Sequence, residues 1–305
     1  MTSPLATPAA PFGRVLTAMV TPFAPDGSLD LPAAQKVASH LVDAGNDGLV
    51  VSGTTGESPT TNPEEDGRLL TAVLEAVGDR ATVVAGVGNN DTAASARLAR
   101  QAAAEGAHGL LLVSPYYNKP PQAGLLRHFE TVTEAGGGVP VMLYDIPGRT
   151  AVRIAPETYV AVAADARVVA VKDAVGDVAG GSWVMAETGL ALYSGDDALN
   201  LAWLTHGAAG IVSVVSHVAA PQLAAMVTAV DEGRLVDAVA IYRALLPVIG
   251  AIMSPTSQGA ITSKASLQLQ GVIEHRTVRS PLVEATDDEV AGLRSVLDRA
   301  GLLKG

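Results

Sequence analysis

Apolar runs of roughly five to eight residues, rich in β-branched side chains, alternate with longer Ala-rich helical segments from residue 15 to about residue 232. The alternation predicts strands over 15–23, 48–53, 82–88, 109–115, 139–147, 168–174, 191–197 and 210–217. Strands separated by helices pair in parallel, because a parallel connection needs a crossover long enough to hold a helix. Eight such β/α units within about 220 residues close into a (β/α)8 TIM barrel, an α/β fold. The punctuation agrees. Gly45-Asn46-Asp47-Gly48, Gly106-Ala107-His108-Gly109 and Gly207-Ala208-Ala209-Gly210 each precede an apolar run. The first glycine suits the left-handed residue that ends a helix, and the second opens the strand. Asn62, Pro63 and Glu65 spell a helix start with a reciprocal capping box, and Asp91 and Pro156-Glu157 mark two more. After residue 232 the strands stop and helices are predicted over 235–252, 257–270 and 286–300, the last opened by Thr286 and Glu289. The chain thus divides into an arm (1–12), a barrel (13–232) and a C-terminal helical extension (233–305). The arm is rich in Pro, Ala and Thr and carries no charged side chain, which predicts a flexible segment rather than a secretion signal.

Composition narrows the function classes. With 305 residues, 48% apolar and 17% charged, the chain can bury a large core without a stapling metal or disulfide. It has no cysteine, which excludes disulfides, thiolate metal sites and a cysteine nucleophile. A formal charge of −11 and a pI near 4.9 argue against nucleic acid, whose phosphates need clustered Lys and Arg. The longest apolar runs are strand-sized, well below the ~18 residues of a membrane span, so a soluble cytoplasmic protein is expected. Six histidines show no metal-ligand spacing, which predicts no metal, and chemistry on an imine of a lysine would need no cofactor.

Polar side chains able to do chemistry gather where the predicted strands end: Thr54-Thr55, Asn89-Asn90, Tyr116-Tyr117, Tyr144, Arg149, Lys172 and Ser194-Gly195-Asp196. A β/α barrel builds its active site at that C-terminal face, so the clustering predicts an enzyme. Lys172 is the sharpest signal. It is one of five lysines and lies inside the otherwise apolar run 168–174, whereas the other four stand in contexts that predict solvent exposure. An ordinary lysine, with a pKa of ~10.4, is only about 0.04% neutral at pH 7. Burial in a barrel mouth can lower that value toward ~7–8 and make the amine a Schiff-base nucleophile. The competing reading is a strand-end lysine paired with Asp173, yet neighbours on a strand face opposite ways.

Other segments support the same face. Gly53-Thr54-Thr55-Gly56-Glu57-Ser58 joins the second strand to its helix, and its small residues leave backbone N–H groups free for a carboxylate or phosphate; a generic turn is the alternative. The lysine of a phosphate-binding Walker loop is absent, and Gly86-Val87-Gly88-Asn89-Asn90 is not a dinucleotide fingerprint. Tyr116, Tyr117 and Tyr144, three of six tyrosines, stand at two strand ends, either as functional hydroxyls or as an aromatic cap. Arg149 offers a planar fork for a carboxylate, or else a surface ion pair.

Taken in order, Gly53-Thr-Thr-Gly-Glu-Ser58, Pro115-Tyr-Tyr-Asn118, Tyr144-x-x-Pro-x-Arg-Thr150, the strand lysine and Ser194-Gly-Asp-Asp197 resemble the 4-hydroxy-tetrahydrodipicolinate synthase (dihydrodipicolinate synthase) family. The resemblance runs from about residue 13 to the C-terminus. It implies a class I aldolase, a lyase that condenses pyruvate with aspartate-4-semialdehyde in lysine and diaminopimelate synthesis. By position it implies that Lys172 forms the imine with pyruvate and that Thr54 and Thr55 hold the pyruvate carboxylate. Thr55, Tyr144 and Tyr117 would relay protons, with Tyr117 supplied by the neighbouring subunit of a tight dimer that commonly pairs into a tetramer. Arg149 would bind the semialdehyde carboxylate, and Gly195 and the Val212 carbonyl would line the pocket.

One departure stands out. Members inhibited by lysine use a histidine pair after the threonine loop and a glutamate four residues past an asparagine; the corresponding positions here are Pro63, Asp66 and Ala94, the last following Asn90. Weak feedback by lysine is therefore expected. Two readings compete with the synthase. A sialic-acid lyase or keto-deoxy-sugar-acid aldolase would share the barrel, Lys172 and Tyr144 but usually lacks an arginine at Arg149. A non-catalytic ligand-binding barrel would be favoured by loss of a relay residue, and none is missing.

Overall fold

Each predicted run forms one strand of a closed parallel barrel in the computed structural model, which describes residues 9–303. The strands are β1 (Val15–Ala18), β2 (Gly48–Val51), β3 (Thr82–Gly86), β4 (Gly109–Val113), β5 (Val141–Asp145), β6 (Val168–Asp173), β7 (Ala191–Ser194) and β8 (Gly210–Ser213). They pair in sequence order, and β8 closes on β1 through Leu16 opposite Val212. All are shorter than their predicted runs because burial outlasts the hydrogen-bonded ladder. Met19, Val20 and Phe23, for example, are buried beyond the end of β1. Side chains sort by the pleat. Leu16, Val50, Val84, Leu111, Met142, Ala170 and Val212 share one buried cluster that fills the barrel, while their neighbours Leu49, Val83, Leu110, Leu143 and Val171 pack on the helices.

The connecting helices are α1 (Leu31–Asp43), α2 (Pro63–Val77), α3 (Thr92–Ala104), α4 (Gln122–Ala135), α5 (Pro147–Thr150), α6 (Pro156–Val162), α7 (Val178–Thr188), α8 (Asn200–Thr205) and α9 (Ser216–Asp231). Their ends follow the sequence signals. Asn62 and Glu65 complete the capping box of α2, and Asp91 caps α3, each such cap contributing about 1 kcal/mol. Gly45, Gly106 and Gly207 take φ of 99°, 89° and 90° just past their helices, the left-handed turn that glycine adopts most readily. The second glycine of each signature answers to space. A Cβ on Gly109 would stand 2.4 Å from the Phe12 ring, and one on Gly48 would stand 3.0 Å from the Phe12 carbonyl.

Phe12 corrects the predicted arm. Residues 1–8 lie outside the described residues, but Phe12 is fully buried under the barrel, its N–H donating to the Tyr193 hydroxyl at 3.1 Å. Burying a phenylalanine is worth about 2–3 kcal/mol. The anchored chain therefore begins before residue 13.

The extension supplies α10 (Leu235–Ile252), α11 (Gly259–Leu269) and α12 (Asp287–Arg299), within two residues of the predicted ends. Thr286 and Glu289 form the capping box of α12. These helices pack on α9 and on one another and share one apolar cluster with the barrel interior, so the extension has no core of its own. Sequence left its place open between barrel and subunit interface; the barrel receives it. A second expectation is corrected here, since α10 is long and apolar enough, with a mean hydropathy of 1.9, to cross a membrane by length and composition alone. Asp237 and Arg243 interrupt it, and Ala238, Leu245, Val248, Ile249 and Ile252 are buried against the core.

Candidate active site

Lys172 emerges from β6 into the mouth of the barrel, buried, with its Nζ 4.3 Å from the centroid of the Tyr144 ring on the neighbouring β5. It makes no ion pair with Asp173. As the strand pleat requires, Asp173 faces the other way and accepts from the Val175 and Gly176 amides, both at 3.1 Å. Burial lowers the Lys172 pKa to about 8, against the opposing pull of Asp197 and with help from the positive charge of Arg149. Tyr144 is pushed the other way, up to about 12, by burial, which Arg149 and the Thr54 hydroxyl partly offset. At neutral pH the pair therefore offers a partly neutral amine beside a protonated phenol, a nucleophile with a proton donor.

Gly195 explains itself by what it touches. A Cβ there would stand 2.9 Å from Lys172 Cε, 3.0 Å from its Cγ and 2.9 Å from the Asp173 carbonyl, so any side chain would displace the lysine. Val212 is buried on β8 within the barrel cluster, below the polar rim. Arg149 lies exposed on the short α5 and takes no part in the ion pairs that engage Arg153, Arg167 and Arg234. It remains available as the cation its field at Lys172 and Tyr144 already indicates.

The loop after β2 turns tightly, with Glu57 N–H donating to Thr54 O at 3.1 Å and Ser58 N–H to Gly53 O at 3.2 Å. No hydrogen bond within the described chain occupies the amides of Thr54 and Thr55, as a carboxylate-binding turn requires. One expectation shifts by a residue. Thr54, rather than Thr55, is the threonine whose hydroxyl lies beside Tyr144. Successive residues in this turn point differently, and the sequence carries no sign of which faces the phenol.

Tyr117 does not join the other groups within its own chain. It is 88% exposed and holds φ at 73°, an unfavourable conformation for a bulky residue. The segment is pinned in place by Asn118, whose Nδ2 donates to the Asn90 carbonyl at 2.9 Å. Of the positions read for lysine feedback, Pro63 opens α2 and Asp66 turns inward, accepting from the Ser52 and Thr61 hydroxyls at 2.9 and 2.8 Å.

Sequence reading missed two buried charges. Asp197, quoted only as part of a motif, accepts from the Val214 and Val215 amides at 2.9 and 3.0 Å, from Asn200 Nδ2 at 2.9 Å and from the Ser213 hydroxyl, and it opposes the fall in the Lys172 pKa. Lys264 on α11 was expected in solvent, yet it is 0% exposed and paired with Glu57 at 2.5 Å. The missed signal was the one that exposed Lys172: a single charge in a run of small and apolar residues, here 260–267.

Set against known proteins, residues 11–300 match the sequence profile of the dihydrodipicolinate synthetase family. The chain belongs to that family. The 4-hydroxy-tetrahydrodipicolinate synthase of Kineococcus radiotolerans is 61% identical over 301 residues, covering 99% of this chain and 97% of the relative. That of Acidothermus cellulolyticus is 58% identical over 96% of this chain and 94% of the relative. Among solved structures, the lysine-bound dihydrodipicolinate synthase of Cyanidioschyzon merolae superposes with a TM-score of 0.92 at 38% identity, covering 97% of this chain and all of the other. As a member of the dihydrodipicolinate synthetase family the chain is an enzyme, a lyase, on the barrel read from its sequence.

Proposed function

We propose that Lys172 carries the activity named for these relatives: the chain condenses pyruvate with L-aspartate-4-semialdehyde to 4-hydroxy-tetrahydrodipicolinate, the first committed step toward lysine and diaminopimelate. The observation that carries the reading is the buried amine of Lys172, lowered to about 8 and standing 4.3 Å from the Tyr144 ring. The neutral amine adds to the keto carbon of pyruvate, and the resulting oxygen takes one proton from the attacking nitrogen and one from Tyr144, leaving as water and giving the protonated imine. The imine then draws electrons from the methyl group, which loses a proton to give an enamine that attacks the aldehyde. Amides of the Thr54-Thr55 turn hold the pyruvate carboxylate, Arg149 holds that of the semialdehyde, and Gly195 and the Val212 carbonyl border the pocket. Arg149 and the Thr54-Thr55 amides let a chain of charge −11 bind two anions, because the local field decides.

The proton relay runs through Thr54, Tyr144 and Tyr117 of a second copy, which makes the working unit a dimer, itself able to pair into a tetramer. The cysteine-free chain works in the cytoplasm. Purified enzyme is expected to consume pyruvate only when aspartate semialdehyde is present; cleavage of N-acetylneuraminate or a keto-deoxy sugar acid at a comparable rate would replace this reading with the sugar-acid one. Feedback by lysine is weak, because Pro63 and Ala94 bring no polar side chain and Asp66 is spent on Ser52 and Thr61. Saturating L-lysine should leave initial rates unchanged, and strong inhibition would refute the assignment.

A further inference from the structure

The threonine turn is gripped from a distant part of the chain. Lys264, 207 residues away on α11, donates from Nζ to Glu57 Oε1 at 2.5 Å and to the Thr277 carbonyl at 2.7 Å. The other oxygen of Glu57 accepts the Arg279 backbone N–H at 2.9 Å. The Lys264 ammonium and the Arg279 guanidinium each stand 4.2 Å from the centroid of the Phe23 ring, and Arg279 also forks Glu65 at 2.6 and 2.8 Å and donates to the Thr60 carbonyl at 2.8 Å. Further hydrogen bonds hold the rest of the turn, from Thr21 Oγ1 to the Gly56 carbonyl at 2.7 Å and from Ser52 Oγ to Asp66 at 2.9 Å. Both ends of the turn are strained, with φ of 50° at Ser52 and 57° at Glu57. Strain of this kind persists only where the surroundings over-determine the conformation.

A buried ion pair is a poor way to gain stability, since apolar side chains of equal volume would do as well or better. Its value here is geometric. The doubly held carboxylate fixes a left-handed residue two positions beyond Thr55, and thereby the direction in which the Thr54 and Thr55 amides point. We propose that Lys264 is a positioning residue for the reaction at Lys172: through Glu57 it sets the Thr54-Thr55 turn in the conformation that receives the keto acid's carboxylate. The C-terminal helices are then part of the catalytic device rather than an appendage to it. The proposal rests on the reading that this turn binds that carboxylate.

Two variants of the full-length enzyme separate positioning from folding. Lys264→Met strands the Glu57 charge and is expected to lower the melting temperature; Glu57→Gln combined with Lys264→Met leaves no lone buried charge and is expected to recover most of it. In both, the KM for pyruvate should rise about tenfold or more, a change worth about 1.4 kcal/mol, while the KM for the aldehyde stays within about threefold. A folded double variant with the wild-type pyruvate KM would overturn the proposal, as would a loss confined to melting temperature. Thr55→Pro, which deletes one of the two amide donors, serves as the control for the underlying reading. If that variant folds and keeps the wild-type pyruvate KM, the turn is not the carboxylate site; if it raises that KM while the double variant does not, only the role of Lys264 falls.

Discussion

Lys172→Met is expected to lower kcat/KM by roughly 10⁴-fold or more while the protein stays folded, because it removes the proposed covalent nucleophile and breaks no ion pair. Methionine occupies about the same volume. Borohydride added with pyruvate should reduce the imine and leave a stable pyruvyl mass on the wild-type peptide carrying Lys172, and none on the variant. Lys264 provides an internal control, since burial lowers its pKa as well, against the pull of Glu57. Its amine is spent on Glu57 and the Thr277 carbonyl, so it is buried like Lys172 but not free to attack. An adduct on Lys264, or turnover surviving in Lys172→Met, would remove the basis of the mechanism.

The same amine sets the pH dependence. The neutral form attacks, so activity rises with pH as Lys172 deprotonates, with an inflection near 8 in the free enzyme. At pH 7 a group of that pKa is about one-tenth neutral, roughly two hundred times the neutral fraction of an ordinary lysine. An inflection near 10 would mean that the barrel mouth does not dry the amine.

What the sequence discloses is governed by distance along the chain. The barrel was legible because each strand, its glycine and its helix cap are local patterns: Gly45, Gly106 and Gly207 needed only their neighbours to be read. Lys172 was legible for the same reason, one charge inside seven residues of strand. Lys264 shows the same isolated charge less plainly, because the serines and glutamines around it imitate a solvated face and the Glu57 that pairs with it lies 207 residues away. Phe12 was misread likewise, since the Tyr193 hydroxyl that receives its amide comes from the seventh strand. The choice between Thr54 and Thr55 fails on a finer scale, where one residue of backbone rotation redirects a side chain and composition is silent.

Tyr117→Phe should cut turnover by about 10²-fold or more, the usual worth of a positioned proton donor, although in its own chain the side chain stands 88% in solvent. An aromatic held outward at a φ of 73° carries a backbone cost that its own solvent-facing side chain does nothing to repay. A second copy would repay it by enclosing the phenol beside its own Lys172 and Tyr144. Mixing decides whether it does. Lys172→Met is expected to be inactive alone and Tyr117→Phe nearly so, but a mixed dimer would hold one site that combines an intact Lys172 with an intact Tyr117. Dissociating and reassociating the two variants in equal amounts should restore about a quarter of the wild-type sites, as random pairing of a twofold dimer requires. If Tyr117 instead folded back onto its own Lys172, no pairing of the two could create a complete site, and the mixture would stay as inactive as its parts.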